Sequence, residues 1–410
     1  MLFSNATAVA QAYPHQLSPD QKQRVVIAIG LALDPKVLLA DEPTNALDLT
    51  TQAKALYLFK QLAAYNQSGL LIATNNLGVV AEIADRVVVM ENGVVVEDGP
   101  TAQVLSAPRH PHARMLLSAT NPAVRPTRTR PQDDETMIKV QNLTLSRTHR
   151  NGFGMRSKPT VVLDDVTLAI PRGTIMGLVG ASGAGKTALA KCMVGLARPD
   201  SGRVEIAGPS DANASRAEKR EICKHTQIVF NNPRHALNPV RTVGKQIIQS
   251  LRDFGLSTQD AWKRTYEVLE HTGLRPDIVH CLPDHLTMAE RLRVCIARTM
   301  VLEPEVLIFD NAIAGVDVSV QNDIIALLQN LRTRFGLTIL FITQDLFVAA
   351  KLCDQVMVMH RGQIVESGET HAIITSPEHA VTQQLLAARP GQHWPGTQPR
   401  TDTGHLKVVS

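Results

Sequence analysis

Residues 180–187 read Gly180-Ala181-Ser182-Gly183-Ala184-Gly185-Lys186-Thr187, which fits the pattern G-x-x-x-x-G-K-[ST]. Glycines allow backbone N–H groups to wrap a phosphate, and the following helix presents its positive N-terminus. Lys186 is predicted to reach the β- and γ-phosphates of a nucleotide, and Thr187 to bind Mg²⁺. The run before the loop (TIMGLVG, 174–180) is typical of a buried strand, and the run after it (ALAKCMVGL, 188–196) of a helix. This context favours a phosphate loop over a glycine-rich turn.

Two aliphatic runs end in an aspartate: VLIFD (306–310) ends at Asp310, and VLLAD (37–41) ends at Asp41. An acid at the tip of a buried parallel strand beside a phosphate loop is the usual second ligand of Mg²⁺. Asp310 is therefore predicted to bind Mg²⁺ together with Thr187, although a strand-ending aspartate also serves as a helix N-cap. Asp41 has no phosphate loop to accompany it.

The composition excludes several classes of protein. The 410 residues suffice for about two domains, and 44% apolar with 20% charged residues is typical of a soluble globular protein. A net charge of +4 with scattered basic residues does not indicate a nucleic-acid partner. No apolar run approaches the ~18 residues that a membrane-spanning helix needs. The five cysteines are far apart, which argues against zinc, an iron–sulfur cluster or a disulfide framework.

The chain repeats itself at an offset of 269 residues. Residues 13–52 align without a gap on residues 282–321, and the same offset matches DRVVVMENG (85–93) with DQVMVMHRG (354–362). A gapless match over about a hundred residues indicates two copies of one module. Shifted by this offset, Lys186 falls before Met1, so the first copy is expected to begin inside its domain, without a phosphate loop.

The predicted organisation follows from the repeat and from the alternation of strand-like and helix-like runs, which indicates an α/β fold. Residues 1–120 form a partial domain, 121–136 a linker, 137–388 a complete domain, and 389–410 a disordered tail. Within the complete domain, about 233–297 is predicted to be a mainly helical subdomain.

Four further stretches carry a resemblance to a known family: LSPDQKQRV (17–25), LLADEPTNALD (38–48), NPRHALNPVRTVGKQI (232–247) and HPHARMLL (110–117). Together with the phosphate loop they resemble the tandem-cassette ATP-binding subunit of peptide, glutathione or nickel ABC importers. The resemblance implies an ABC-type P-loop NTPase with a RecA-like parallel sheet and a helical subdomain. It implies ATP and Mg²⁺ as cofactors and ATP hydrolysis coupled to import. It also implies a peripheral position on the cytoplasmic face of the inner membrane, permease subunits as partners, and indirect coupling to a substrate-binding protein.

Several positions depart from what the resemblance implies. The general base after the strand-ending aspartate is Glu42 in the first copy but Asn311 in the second. An amide cannot accept the proton, and a general base typically contributes ~10²–10⁴ in rate. The histidine that contacts the γ-phosphate in the family is replaced by Asn75 and Gln344. The remaining departures are Asn231 for the Q-loop glutamine, Pro19, Asp20, Met288 and Ala289 for the signature glycines, and Arg147 for the aromatic that stacks on adenine.

In this family each ATP lies between the phosphate loop of one cassette and the signature of the other. The resemblance therefore pairs the loop of the second copy with Ser18 and Gln21 of the first. It leaves Glu42 in a second site that has no loop. We expect Mg-ATP binding at the second copy, with hydrolysis weak or lost. Two alternatives stay open: a non-catalytic cassette that completes the site of an intact partner ATPase, and the product of a decayed gene.

Overall fold

A computed structural model describes residues 6–17, 19–44, 47, 49–120, 135–147, 159–207 and 216–388. The predicted tail, Ser18 and all but the last two residues of the predicted linker lie outside these ranges. The chain divides into two compact units: the described residues up to 120 together with 387–388, and residues 135–386. No helix in the described part of the chain is long and apolar enough to cross a membrane.

The described residues of the first unit form six α-helices and four strands. In chain order they are α1 (Ala6–Ala10), α2 (Pro19–Leu31), β1 (Val37–Asp41), α3 (Leu49–Asn66), β2 (Gly69–Ala73), α4 (Leu77–Ile83), β3 (Arg86–Glu91), β4 (Val94–Pro100), α5 (Thr101–Ser106) and α6 (Pro111–Thr120). Strands β1 and β2 pair in parallel, and β3 and β4 form an antiparallel hairpin. Among the described residues these remain two separate two-stranded sheets.

The second unit begins with strands and a short helix: β5 (Thr136–Arg147), β6 (Thr160–Pro171), β7 (Ile175–Val179), α7 (Lys186–Met193), β8 (Ser201–Ile206), α8 (Arg216–His225) and β9 (Thr226–Val229). Strand β5 starts at the last residue of the predicted linker. A helical stretch follows: α9 (Pro233–Ala236), α10 (Val243–Asp253), α11 (Thr258–His271) and α12 (Met288–Met300). The unit ends with β10 (Val306–Asp310), α13 (Val318–Phe335), β11 (Thr338–Thr343), α14 (Leu346–Leu352), β12 (Gln355–His360), β13 (Gln363–Glu369), α15 (Thr370–Thr375) and α16 (Ala380–Ala387).

A six-stranded sheet in the order β13-β12-β7-β11-β10-β9 forms the centre of the second unit. All its pairings are parallel except the β12–β13 hairpin. Strand β7 lies between β12 and β11, and every residue of β7, β10 and β11 is buried. Strands that are apolar on both faces are typical of parallel sheets covered on both sides.

Two layers of side chains cover this sheet. On one face, helix α7 and the antiparallel sheet β6-β5-β8 share a core with the strands, to which Leu163, Leu189, Ile308 and Met359 belong. On the other face the helical stretch packs through residues such as Val243 and Leu292. Because parallel strands all end at one edge, the loops after β7, β9, β10 and β11 are brought together there.

The helical stretch contains the residues for which a mainly helical subdomain is predicted. Helix α10 packs so closely on α11 that a Cβ on Gly244 would lie 2.7 Å from the ring of Trp262. Within this stretch the buried Gln246 clamps the preceding turn, since its side-chain amide donates to the carbonyls of Asn238 and Arg241 and its oxygen accepts the N–H of Asn238. The exposed loop 238–241 is therefore held in one conformation.

The elements of the two units fall at the same offset of 269 residues. Helix α2 corresponds to α12, β1 to β10, β2 to β11, and the hairpin β3–β4 to β12–β13. Even the irregularity of the hairpin is repeated, between Val89 and Met90 and between Val358 and Met359. The described residues of the first unit contain no counterpart of β5–β9 or α7.

Candidate nucleotide site

The phosphate loop connects β7 to α7, and its shape requires glycine at two positions. A Cβ on the buried Gly180 would lie 2.2 Å from the carbonyl oxygen of Met359. Gly185 has φ 109°, and a Cβ there would lie 2.8 Å from the carbonyl oxygen of Val162. Both contacts are with backbone atoms that cannot turn away. The glycines of the motif therefore let the loop lie directly against β12 and β6.

Lys186 is the first residue of α7 and is only 7% exposed. Its Nζ donates hydrogen bonds to the carbonyl oxygens of Gly180, at 2.6 Å, and Ala181, at 2.8 Å. The ammonium thus bends back over the loop. A buried charge needs such partners, because an unpaired ammonium away from water is strongly disfavoured. A phosphate oxygen placed in the loop would offer it a stronger, charge-assisted partner.

The middle of the loop is exposed, while the residue after it is buried. Ser182 and Gly183 are exposed, and Gly183 has φ 79°. Ala184 is buried and accepts a hydrogen bond of 2.9 Å from the N–H of Gly362, in the turn between β12 and β13. The β12–β13 hairpin therefore contacts the phosphate loop through this hydrogen bond. The sequence motif alone gave no sign of this contact.

Thr187 and Asp310 meet at the other side of the loop. The Thr187 hydroxyl donates to Asp310 Oδ1 over 3.1 Å, and Asp310 is 1% exposed at the end of β10. Burial raises the pKa of the Asp310 carboxyl, while the Thr187 hydrogen bond and the charges of Lys186 and Lys191 partly oppose that rise. A hydroxyl and a carboxylate are hard oxygen donors of the kind that Mg²⁺ prefers. The two side chains therefore fit the predicted Mg²⁺ ligands.

Asn311 and Gln344 follow neighbouring strands. Asn311 has φ 50° and donates its backbone N–H to the carbonyl of Ile342 over 2.8 Å. Gln344 comes directly after β11, and both side chains are half-buried. Because Asp310 pairs with Ile342 in the sheet, the three polar side chains lie at the same strand ends. Asn311 offers an amide where a base would need a carboxylate.

Asn231 is exposed two residues after β9, which pairs with β10. It therefore also lies at the edge of the sheet where the loop is. Arg147 is exposed at the end of β5, where it pairs with Thr160. The residues that follow it, 148–158, lie outside the described ranges.

The first unit contains the remaining predicted site residues. Glu42 has φ 42°, and its backbone N–H donates to Ala73. Its half-buried carboxylate accepts hydrogen bonds from the backbone N–H of Asn75, at 3.0 Å, and from the hydroxyl of Thr74, at 3.3 Å. The carboxylate is thus engaged by the loop after β2. Gln21 is half-buried in the first turn of α2.

One feature that the sequence reading missed lies at the start of α12. Thr287 and Glu290 form a capping box, in which Glu290 Oε2 accepts from both the N–H and the hydroxyl of Thr287 at 2.9 Å. The pattern T-x-x-E is a readable signal for this motif. The carboxylate satisfies the helix N-terminus and gives it a negative charge. This end of α12 is therefore poorly suited to receive a phosphate.

Two family models match the chain. The ABC transporter model matches residues 3–45 and 163–314. The model for the oligopeptide/dipeptide transporter C-terminal region matches residues 96–144.

Curated relatives agree with these matches. The glutathione import ATP-binding protein GsiA of Escherichia coli strain K12 and that of Shigella dysenteriae are each 36% identical over 411 aligned residues, which cover 94% of this chain. The chain spans 66% of the length of these relatives.

Solved structures show the same fold. The structure of cbiO1 from Clostridium perfringens, part of the ABC transporter complex cbiONQ, is 26% identical with a TM-score of 0.51. The match covers 59% of this chain and 92% of the cbiO1 chain. The dimeric bacterial ABC transporter cassette MJ0796 is 24% identical with a TM-score of 0.51. The match covers 57% of this chain and 99% of the MJ0796 chain. Residues 96–144 thus match the C-terminal region of the oligopeptide/dipeptide transporters. The phosphate loop, the sheet and these matches together show that the chain belongs to the ABC transporter family of ATP-binding proteins.

Proposed function

We propose that the second unit binds Mg-ATP in the loop 180–187, and that the chain is an ATP-binding subunit of a peptide- or glutathione-type importer with weak or lost hydrolysis. The observation that carries the binding proposal is the buried Lys186 ammonium, held over the loop beside the Thr187–Asp310 pair. Thr187 and Asp310 would hold the metal ion, which neutralises phosphate charge when bound. Lys186 would exchange the loop carbonyls for phosphate oxygens.

The residues that follow β10 and β11 support the proposal that hydrolysis is weak. Asn311 occupies the position after Asp310, and an amide cannot take a proton from water. Gln344 follows β11 and carries no charge that could balance the transferring phosphoryl group. The one glutamate at an equivalent position, Glu42, belongs to the first unit, where Thr74 and Asn75 engage its carboxylate.

The transport role rests on the relatives, which are named as import ATP-binding proteins. We propose permease subunits as partners, a peripheral position on the cytoplasmic face of the inner membrane, and indirect coupling to a substrate-binding protein. No nucleic acid enters this proposal. The partial character of the first unit and the completeness of the second, over 137–388, belong to the same proposal. They are supported by the shared offset of their elements.

Thermal unfolding tests the binding. A ligand that binds only the folded state stabilises it by about 2.7 kcal/mol at a hundred times its Kd. Saturating Mg-ATP is therefore expected to raise the melting temperature of the wild-type chain by about 5–11 °C, at about 2–4 °C per kcal/mol. Lys186→Ala should remove this shift, while the control Lys139→Ala, at an exposed lysine of β5, should keep it. A wild-type chain that does not respond to millimolar Mg-ATP would refute the proposal.

A further inference from the structure

The turn between β12 and β13 joins the phosphate loop to strand β6. Gly362, the second residue of this turn, is buried. Its N–H donates a hydrogen bond of 2.9 Å to the carbonyl of Ala184, and its own carbonyl accepts the N–H of Asp164 over 3.0 Å. Both backbone polar groups of Gly362 are therefore used, one toward the loop and one toward β6.

The approach at this point is too close for a side chain. Gly362 has φ 84°, and a Cβ there would lie 2.7 Å from the carbonyl oxygen of Val162. A Cβ on Gly185, in the phosphate loop, would lie 2.8 Å from the same oxygen. The carbonyl of Val162 thus lies against both glycines. Any side chain at position 362 would push the turn away from β6 and strain its contact with Ala184.

The corresponding hairpin of the first unit separates two reasons for a glycine in this turn. Gly93 lies at the same offset of 269 residues and has φ 80°. A Cβ on Gly93 would meet no atom of the described residues within 4 Å. The turn conformation therefore favours glycine in both hairpins, whereas the close approach is a property of Gly362.

A side-chain contact holds the turn on β6 as well. The Gln363 amide donates through Nε2 to Asp164 Oδ2 over 2.8 Å, and both residues are exposed. This contact lies beside the backbone bond between Gly362 and Asp164. It can be removed without changing the backbone preference of the turn.

The bond from Gly362 also determines how one peptide group of the loop is turned. The described residues contain no cis peptide bond, so the peptide between Ala184 and Gly185 is trans. In a planar trans peptide the C=O and the N–H point in opposite directions. Because the Ala184 carbonyl points toward Gly362, the N–H of Gly185 points away from the hairpin. Phosphate loops bind anions through such backbone N–H groups.

We propose that Gly362 is a positioning residue for nucleotide binding: its N–H holds the Ala184 carbonyl, and this holds the N–H of Gly185 toward a phosphate oxygen. The proposal rests on the proposed function of the loop as a Mg-ATP site. Gly362 acts through Ala184 and Gly185 and makes no contact with the nucleotide itself.

The affinity of the full chain for Mg-ATP, measured by isothermal titration calorimetry below the unfolding transition, is the first readout. Gly362→Ala should weaken binding about tenfold or more, as expected when a hydrogen bond to a charged group is lost. Gln363→Ala loosens the turn without a clash and should weaken binding about threefold. Gly336→Ala is the matched control, because Gly336 has φ 65° in the same unit and a Cβ there would meet nothing within 4 Å. It should melt earlier than the wild type and bind Mg-ATP equally well.

Hydrogen exchange without nucleotide, resolved to single amides, is the second readout. The N–H of Ala184 donates to the carbonyl of Ala181 over 3.2 Å, so its exchange rate reports the order of the loop. This amide should exchange about tenfold faster in Gly362→Ala, somewhat faster in Gln363→Ala, and at the wild-type rate in Gly336→Ala.

The two readouts separate the inference from the proposed function. A wild-type chain that binds no Mg-ATP refutes the function, and the exchange rate at Ala184 then decides alone whether Gly362 positions the loop. The inference is wrong if Gly362→Ala binds Mg-ATP as tightly as the wild type. It is also wrong if Ala184 exchanges at the same rate in both, or if Gly336→Ala loses as much affinity as Gly362→Ala. Should Gly362→Ala fail to fold, equal affinity and exchange in Gln363→Ala and the wild type would overturn it.

Discussion

The hydroxyl of Thr187 donates a hydrogen bond of 3.1 Å to the carboxylate of Asp310, which joins the first turn of α7 to the end of β10. The carboxylate is buried beside the Lys186 ammonium. Thr187 and Asp310 would hold a divalent ion, whose charge would give this desolvated acid a positive partner. On the proposed function, the pair would therefore connect nucleotide affinity to metal concentration.

This relationship predicts the metal dependence of ATP binding. Wild-type protein is expected to bind ATP about tenfold more tightly with Mg²⁺ than with EDTA, a difference of ~1.4 kcal/mol. Asp310→Asn should bring that ratio close to one, because the amide keeps the shape but loses the charge. Asp323→Asn, at an exposed position of α13, is the matched control. Isothermal titration calorimetry measures the ATP affinity of each variant with Mg²⁺ and with EDTA. If the ratio of the two affinities in Asp310→Asn equals that of the wild type, the assignment of Asp310 is contradicted.

The second prediction concerns turnover. Asn311→Glu restores a base, which typically contributes ~10²–10⁴ in rate. We expect a gain below about tenfold, because phosphoryl transfer depends mainly on stabilising charge on the phosphoryl oxygens and Gln344 provides none. Asn311→Glu with Gln344→His should exceed the product of the single effects, since residues that act as a unit are not additive. Phosphate release measures the rates, with Asn330→Glu on the surface of α13 as control. High activity in Asn311→Glu alone would show this order to be wrong.

The third prediction concerns a glutamate that anchors the last helix of the second unit. Glu366 accepts hydrogen bonds from the N–H groups of Glu378, at 2.8 Å, and His379, at 3.1 Å, and from the Thr382 hydroxyl. Burial raises the pKa of Glu366, but these hydrogen bonds lower it by more, so that its pKa lies below the usual value. The folded state thus binds this proton less readily than the unfolded state.

The stabilisation from Glu366 is therefore complete above the ordinary glutamate pKa and is lost as the pH falls through its lower folded value. Glu366→Gln keeps one acceptor and should lower the melting temperature at pH 7 by about 2–4 °C, as expected for ~1 kcal/mol in a domain of this size. The difference in melting temperature between the wild type and Glu366→Gln should become smaller as the pH falls toward about 3. Glu369→Gln, at an exposed glutamate of the same hairpin, is the control. A difference that does not depend on pH would argue against the anchor.

The fourth prediction separates two causes of glycine preference in the loop. At Gly180 an added Cβ would lie 2.2 Å from a backbone oxygen, whereas at Gly183 it would meet nothing within 4 Å. Gly183 has φ 79°, so alanine there costs only the backbone strain of about 1–2 kcal/mol. Gly180→Ala should therefore lower the melting temperature more than Gly183→Ala. Equal losses in calorimetry would show that the approach of Met359 is not what limits position 180.

Local signals predicted the positions of the main elements. The phosphate-loop pattern identified the β7–loop–α7 turn, and the run VLIFD identified β10 with its terminal Asp310. Both depend on short stretches whose chemistry determines the backbone nearby. The helices within 233–297 were readable for the same reason.

Contacts between distant residues were not readable. The hydrogen bond from the N–H of Gly362 to the carbonyl of Ala184 joins residues that are far apart in the sequence of the second unit. The engagement of Glu42 by Thr74 and Asn75 depends on how two strand ends meet in space. A sequence pattern identifies a carboxylate, but not the donors that surround it. The roles of Ser18 and Gln21 rest on the family resemblance and stay predictions.

The two hairpins, residues 86–100 and 355–369, share their length, their turn and the irregularity before the fifth strand residue. Asn92 and Arg361 both take a left-handed conformation before a glycine. Their side chains differ, but their main chains follow the same path. They are therefore candidates for exchange: a chimera with residues 94–100 grafted in place of 363–369 is expected to keep the backbone path, while it replaces the half-buried Ile364 by valine. The hairpins thus offer a place to redesign one half of the molecule with parts from the other.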